Sequence, residues 1–322
     1  MSSTPGTAPR ARISIVVPFY DEEAAIAGFE AELGAALAAL PDCDFEVVCV
    51  DDGSRDATLE RLQAVAARDP RYVVVALSRN FGKEAALTAG IDHASGAAVV
   101  PMDADLQDPP ELLARLIAEW RAGAEVVVAK RVDRSTDRYL KRTVAALFYR
   151  IHNRLSDIKL PENVGDFRLM DRTVVDALRR LPERQRFMKG LFAWVGFKTC
   201  SVEYRRPARA AGQSRFTGLR LWNFALDGIT SFSTLPLRIW SYIGLIGALV
   251  SFSYGAYILL RTLVFGVDVP GYASLLAATL FVGSVQLLSI GILGEYIGRI
   301  YIESKQRPTY IVRSIDRRKS DA

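Results

Sequence analysis

Ala97-Ala98-Val99-Val100-Pro101-Met102-Asp103-Ala104-Asp105-Leu106-Gln107-Asp108-Pro109-Pro110-Glu111 sets a cluster of carboxylates directly after an apolar run. The apolar run reads as a buried strand. Pro109-Pro110-Glu111 reads as a stop and then a helix start, since proline is tolerated at the first helical position. Hard oxygen donors therefore stand where the strand ends. In an open α/β sheet the crevice beyond the strand carboxyl ends is where ligands bind. Asp-x-Asp-x-Gln offers that crevice oxygens suited to Mg²⁺ or Mn²⁺ carrying a diphosphate. A solvated acidic turn uses the same residue types, so the neighbouring strand ends have to decide.

Working outward, residues 12–130 alternate short apolar runs with helical patterns, the signature of βαβ units around a mostly parallel sheet. Strands are expected at Arg12–Pro18, Phe45–Val50, Tyr72–Leu77, Ala97–Met102 and Glu125–Ala129. Helices are expected at Glu22–Leu40, Asp56–Arg68 with Ser54 as candidate cap, Lys83–Ala94 and Pro110–Ala122. The first strand ends in Pro18-Phe19-Tyr20-Asp21-Glu22 and the second in Asp51-Asp52-Gly53-Ser54. Three strand ends thus present acids to one crevice. A carboxylate can accept from a base N–H or from ribose hydroxyls, and Gly53 lets backbone come close. Neither Gly-x-x-x-x-Gly-Lys-Ser/Thr nor Gly-x-Gly-x-x-Gly occurs, which argues against a P-loop or dinucleotide enzyme.

The chain of 322 residues is 50% hydrophobic and 24% charged, more apolar than ordinary soluble proteins. The excess is concentrated late. Ile239–Leu260 and Val269–Gly294 are 22 and 26 residues without a charge, each long enough to cross a hydrocarbon core that takes about 20 helical residues. A transmembrane hairpin is expected over 236–301, with spans near 237–263 and 270–298. Its connector carries only Asp268, whereas Arg238 precedes it and Arg299, Lys305 and Arg307 follow. By the positive-inside bias both flanks are cytoplasmic, which makes this a multi-pass inner-membrane protein with both termini in the cytoplasm. Met1–Arg12 is polar and has no secretory signal. Cys43, Cys49 and Cys200 show no Cys-x-x-Cys spacing, so neither disulfide nor zinc is expected. His93 and His152 are isolated and read as structural or surface residues. Gly244, Gly247, Gly255, Gly283 and Gly291 are small residues that could pack between protomers and so build a homo-oligomer.

Val17-Pro18-Phe19-Tyr20-Asp21-Glu22-Glu23, Val50-Asp51-Asp52-Gly53-Ser54-Arg55-Asp56, Ser78-Arg79-Asn80-Phe81-Gly82-Lys83-Glu84 and the segment Met102–Glu111 together resemble an inverting family-two glycosyltransferase with a GT-A-type nucleotide-sugar-binding fold. With the two spans and Gly294-Glu295-Tyr296-Ile297-Gly298-Arg299, the chain is similar to the polyprenyl-phosphate glycosyltransferases. It is nearest the bactoprenol glucosyltransferases and more loosely resembles the dolichol-phosphate mannose synthases. The resemblance implies that Pro18, Tyr20, Glu22, Asp51 and Asp52 line the nucleoside pocket, where Asp21 replaces the family's frequent Asn. It implies that Asp103, Asp105 and Gln107 hold the metal and diphosphate, with Asp103 also on the nucleotide. Arg131 matches an arginine near the phosphates, and Asp166, in Gly165-Asp166-Phe167-Arg168, an acid near the reacting centre. Arg209, Ser214 and Arg215 match an acceptor-phosphate loop.

The implied reaction is transfer of a sugar, glucose from UDP-glucose being favoured, to undecaprenyl phosphate. A mannosyl or modified-pentose transferase is the alternative, and a non-catalytic nucleotide-sugar scaffold would not need the Asp103/Asp105/Gln107 set. No Gln-x-x-Arg-Trp is present, against a processive polysaccharide synthase. The chemistry fits independently, because charge developing on a departing diphosphate is stabilised by a divalent cation and arginines. Lys130–Arg142 carries six Lys/Arg against two Asp. Such a patch suits an anionic leaflet better than nucleic acid, for which no stacking ladder or reading motif is present. The expected order is a flexible 1–11, a catalytic domain over 12–214, an interfacial amphipathic region over 215–235, the hairpin, and a basic tail over 302–322.

Overall fold

β1 (Ala11–Phe19) lies inside an eight-stranded sheet because its apolar side chains fall on both faces: Ile13, Ile15, Val16 and Val17 are all fully buried. The structure, a computed structural model, describes residues 10–132, 164–184, 186–204, 235–266 and 271–317. Parallel strands β2 (Cys43–Asp51) and β3 (Tyr72–Leu77) follow on one side of β1, and β4 (Ala98–Pro101) pairs parallel on the other. The helices α1 (Ile26–Ala38), α2 (Thr58–Arg68) and α3 (Lys83–His93) make the crossovers. The chain therefore winds away from β1 in one direction and then restarts on its other side. That reversal opens a crevice at the carboxyl ends of β1 and β4, where Tyr20, Asp103 and Asp105 stand.

The first four strands lie within a residue or two of their expected positions. Helix starts differ for identifiable reasons. Residues 22–25 form a turn, with the Ala25 amide donating to the Glu22 carbonyl at 3.0 Å, before α1 begins. Ser54 does not cap α2. Its hydroxyl accepts the Asp21 amide at 3.1 Å, and Asp56 instead accepts the Thr58 amide at 3.0 Å.

The second half of the sheet departs from simple βαβ winding. β5 (Val126–Arg131), reached through α4 (Leu112–Arg121), does not sit beside β4. An unanticipated strand, β6 (Val164–Asp171), runs antiparallel between them, and β7 (Thr199–Tyr204) adds parallel to β5. The helices α5 (Arg172–Arg179) and α6 (Met188–Trp194) lie between β6 and β7 in the chain. The sheet order is β7-β5-β6-β4-β1-β2-β3-β8.

β8 (Val312–Arg317) belongs to the segment expected as a basic tail. It pairs antiparallel with β3 and covers that edge. Arg317 reaches the fully buried Glu46 at 3.0 Å, and Asp316 accepts the Gln63 side-chain amide at 2.7 Å. Glu46 also accepts Ser14 Oγ at 2.6 Å and the Ser95 amide at 2.8 Å. Burial would raise its carboxyl, but these bonds and the Arg12 guanidinium 3.3 Å away outweigh it and hold the carboxyl below the usual range. The ionic knot lies at the amino end of β1, away from the crevice.

The described residues fall into two units, the sheet with its helices and a separate helical pair, α7 (Leu235–Phe265) and α8 (Tyr272–Ser304). Ile239–Phe265 and Ala278–Ser304 have mean hydropathies of 1.9 and 1.6, and none of either segment is buried within the protein. Phe252, Phe265 and Phe281 stand more than two-thirds exposed. Helices apolar all round with nothing covering them are candidate membrane spans. Four of their hydroxyls are satisfied within the helix, as lipid would require: Ser241, Thr279, Ser284 and Ser289 each donate to the carbonyl four residues earlier. No Cβ placed on Gly244, Gly247, Gly255, Gly283 or Gly291 would meet a neighbour within 4 Å.

Candidate functional site

The crevice is built by three loops that hold one another. Asp21 takes up a positive φ of 50°, a conformation that Asp and Asn tolerate. It bonds to the β2–α2 loop in both directions, its amide to Ser54 Oγ and its carboxylate from the Arg55 amide at 2.8 Å. Glu22 and Glu23 donate their amides to Thr58 and Asp56. From the next loop, the amides of Phe81 and Gly82 donate to Asp52 at 2.7 and 2.9 Å. Asp52 thus fixes the entry to α3, and its carboxyl is raised by burial against those two bonds. Gly53, at φ 67°, is pressed so closely on the backbone of Arg79 and Asn80 that a Cβ would stand 2.7 Å from the Asn80 nitrogen. Asp51 is buried and turned back on the Ser54 amide at 3.4 Å. It supports the loop and does not line the crevice.

The result is an open cleft of about 320 Å³, at the small end of what a ligand of nucleotide size needs. Its lining brings together Pro18, Tyr20, Glu22 and Asp52 from the ends of β1 and β2, Asn80, Gly82 and Lys83 from the entry to α3, and Asp103 and Asp105 from the end of β4. Tyr20 is 39% exposed, leaving a ring face for a base. Gly82 and Lys83, both lining the cleft, are the N-cap and first residue of α3, so the positive end of the helix comes to the cleft, which favours phosphate.

Carboxylates outnumber cations here. One oxygen of Glu22, Oε2, is buried without a partner. Burial, with Asp105 and Asp103 adding, pushes the Glu22 carboxyl up to about 7. Lys83 Nζ lies 2.6 Å from Asp103 Oδ1 and 3.1 Å from Asp166 Oδ2, joining the two acids. Leu106 adopts a positive φ of 49°, unusual for its type, and the turn brings Gln107 back onto Asp105 through both amide and side chain. Among the described residues no three His, Cys, Asp or Glu form a ready metal cage. Two aspartates, an amide oxygen and an orphaned carboxylate oxygen nevertheless fit a divalent cation whose remaining ligands come from a diphosphate.

Set beside known proteins, residues 14–179 match the glycosyl transferase family 2 profile and residues 235–300 the GtrB C-terminal hairpin. The bactoprenol glucosyl transferase of Shigella phage SfV is 56% identical over 303 residues, covering 94% of this chain and 98% of that protein. The SfII prophage-derived bactoprenol glucosyl transferase of Shigella flexneri is 56% identical over 306 residues, covering 95% and 99%. A prophage bactoprenol glucosyl transferase homolog of Escherichia coli K12 is 54% identical over 304 residues, covering 94% and 99%. The chain is a family 2 glycosyl transferase.

The transferase brings together Pro18, Tyr20, Glu22, Asp52, Asp103 and Asp105 as lining of one cleft. Gln107 is tied to Asp105, and Asp166 joins through Lys83. Arg131 is engaged elsewhere: it donates to Tyr204 Oη at 2.9 Å and pairs with the buried Asp108 at 3.2 Å. Tyr204 in turn donates to Asp108. His93 Nδ1 lies 2.8 Å from the Ala89 carbonyl, a structural contact. Arg209, Ser214, Arg215, the 215–235 region, His152 and the basic run beyond residue 132 lie outside the described residues.

Lys83, Glu84 and Arg168 escaped notice as site residues. Glu84 accepts the Met188 amide at 3.2 Å, and burial, with Asp166 adding, lifts its carboxyl to about 7. Arg168, buried against the Phe192 ring at 4.1 Å, is lowered by burial to about 10. The available signal was the charge pair Lys83-Glu84 directly after Gly82, ahead of the buried run Ala85–Ile91.

Proposed function

We propose that this glycosyl transferase moves glucose from UDP-glucose to a polyprenyl phosphate, undecaprenyl phosphate, at the cytoplasmic face of the inner membrane. The observation that carries the reading is identity of 54–56% along more than nine-tenths of the chain, through both domain and hairpin, to proteins named bactoprenol glucosyl transferases. A likeness running through the cleft and the apolar helices alike favours the same donor and the same lipid.

In this reading Tyr20 and Pro18 pack on the nucleoside, with Glu22 and Asp52 behind them and Asp51 supporting the loop. Asp103, Asp105 and Gln107 hold Mg²⁺ or Mn²⁺, which when bound offsets the charge of the diphosphate leaving group. The positive end of α3 faces the same phosphates. Arg131 braces β5 and β7 near them, and Arg209, Ser214 and Arg215 receive the acceptor phosphate. That phosphate, with a second pKa of about 6, is mostly dianionic at neutral pH and needs no strong base. Asp166 agrees: burial would raise its carboxyl, but Lys83, Lys189 and Arg168 outweigh burial and hold it below the usual range. So weak a base orients the acceptor rather than taking a proton.

The test is transfer by the purified chain in detergent, given undecaprenyl phosphate, Mg²⁺ or Mn²⁺, and radiolabelled nucleotide sugars in turn. Glucose label from UDP-glucose should enter the organic phase. Label entering only from another sugar, or passing to free undecaprenol as readily as to its phosphate, overturns the assignment.

A further inference from the structure

The Lys83 side chain has no part in the roles assigned so far, yet it lines the cleft and bridges two of its acids. Its ammonium touches Asp103, on the donor side, at 2.6 Å and Asp166, on β6, at 3.1 Å. Asp103 and Asp166 touch this ammonium, and Glu22 feels its charge without touching it. The unpartnered Glu22 Oε2 shows that it does not satisfy them all. Asp103 is also one of the residues assigned to the divalent cation. An ammonium and a divalent ion drawn to the same carboxylate repel each other at contact distance.

We propose that Lys83 is the resident counter-cation of the cleft. Its ammonium holds Asp103 to Asp166 until a divalent ion takes Asp103, and it then stays with Asp166. Lys83 is thus a positioning residue, acting through the two acids. Arrival of the metal with the donor diphosphate releases the donor-side carboxylate from the acceptor-side one. The Lys83–Asp166 pair left behind keeps that acid ionised and fixed in direction. The lysine's exposed stem gives it freedom to make this shift without disturbing α3, since it is about half exposed. The proposal rests on the cation-site reading of Asp103 and Asp105.

The experiment measures Mn²⁺ binding to the full chain in detergent without donor, from the electron paramagnetic resonance signal of free Mn²⁺. Lys83→Gln removes the competing charge and should bind Mn²⁺ at least about 5-fold more tightly than the unaltered chain. Lys83→Arg, which keeps the charge, should stay within about 2-fold. In turnover, Lys83→Gln should lower kcat by about 10-fold while KM for UDP-glucose moves less than about 2-fold. Lys83→Arg should recover part of the loss. Unchanged or weaker Mn²⁺ binding in Lys83→Gln, or equal tightening in Lys83→Arg, overturns the inference. Asp105→Asn separates this failure from that of the underlying reading. If Mn²⁺ binding survives Asp105→Asn, or no chain binds Mn²⁺, the cation site itself is wrong. If binding depends on Asp105 but ignores Lys83→Gln, only the counter-cation falls.

Discussion

Asp105 and Asp52 carry the same functional group and do opposite work, because one faces open cleft and the other faces two backbone amides. Asp105→Ala should abolish transfer because it removes a cation ligand, and it should lower the melting temperature only modestly, since the bonds it loses, from the Gln107 amide and side chain, are local to one exposed turn. Asp103→Ala should be as severe, and Gln107→Ala milder because an amide oxygen brings no formal charge. Radiolabel transfer and thermal melts of the three variants check this; full activity in Asp105→Ala, or turnover undiminished by EDTA, would remove the metal from the mechanism. Glu84 gives a pH test. Its carboxyl, ordinarily at 4.5, is lifted by burial and Asp166 to about 7 in the fold. The folded chain thus holds this proton more tightly than the unfolded chain, and stability is lost as pH rises from about 4.5 through about 7. Glu84→Gln should cancel that loss and exceed the unaltered chain by about 1–3 kcal/mol near pH 8, with the two converging near pH 4. Glu22 shifts the same way in both chains, so parallel melting curves would mean that Glu84 ionises normally. Acids at strand ends were legible because three strand ends agreed where one acidic turn would have decided nothing, and residues from all three line the cleft. Lys83 was not, since a lysine opening a helix usually lies in solvent, and its partners are 20 and 83 residues away in sequence.

Strands β1 to β4 were legible because buried parallel strands are continuous runs such as Ile13–Val17 and Val47–Val50. β6 was not, because Gly165, Asp166 and Arg168 interrupt its apolar pattern; Arg168 is nonetheless buried, its guanidinium laid on Phe192. β8 was missed for another reason. Val-Arg-Ser-Ile-Asp-Arg is half charged, as edge strands often are, and only its distant partner β3 turns a basic tail into a strand. A chain ending at residue 310 should expose the β3 edge and free Glu46 of Arg317, lowering the melting temperature by about 5 °C or more and promoting association. A melt equal to that of the full chain would reduce β8 to an ornament. The loops obey a tighter rule. Gly53→Ala must strain a positive φ and push on the Arg79–Asn80 backbone, displacing the segment that Asp52 holds. The expected result is a loss of about 1–3 kcal/mol of stability and a raised KM for UDP-glucose with kcat less affected; a donor KM within error of the unaltered chain would separate this loop from the nucleotide.

The whole chain leaves its sheet at Tyr204, passes through two long apolar helices, and returns to the same sheet as β8. A hydrogen-bonded sheet cannot be divided by a bilayer. Strands before and after the helices must share one side, so any membrane crossings between Tyr204 and Val312 must be even in number. The number that the two apolar helices supply is two. The sequence pointed the same way through a different cause, the Lys and Arg that flank the hairpin and are missing from its connector. The two arguments are independent, since one rests on backbone pairing and the other on charge. On both arguments we propose that the catalytic unit and the two flanks of the hairpin lie on the cytoplasmic side. Tags at residues 1 and 322 should be protected from external protease in spheroplasts, and a tag inserted near Val269 should be cut. A tag at 322 that is cut while one at 1 is protected would require an odd number of crossings. It would also mean that β8 does not pair with β3 in the membrane-bound enzyme, a consequence that a disulfide between Cys substitutions at the paired positions Val75 and Ile315 would test directly.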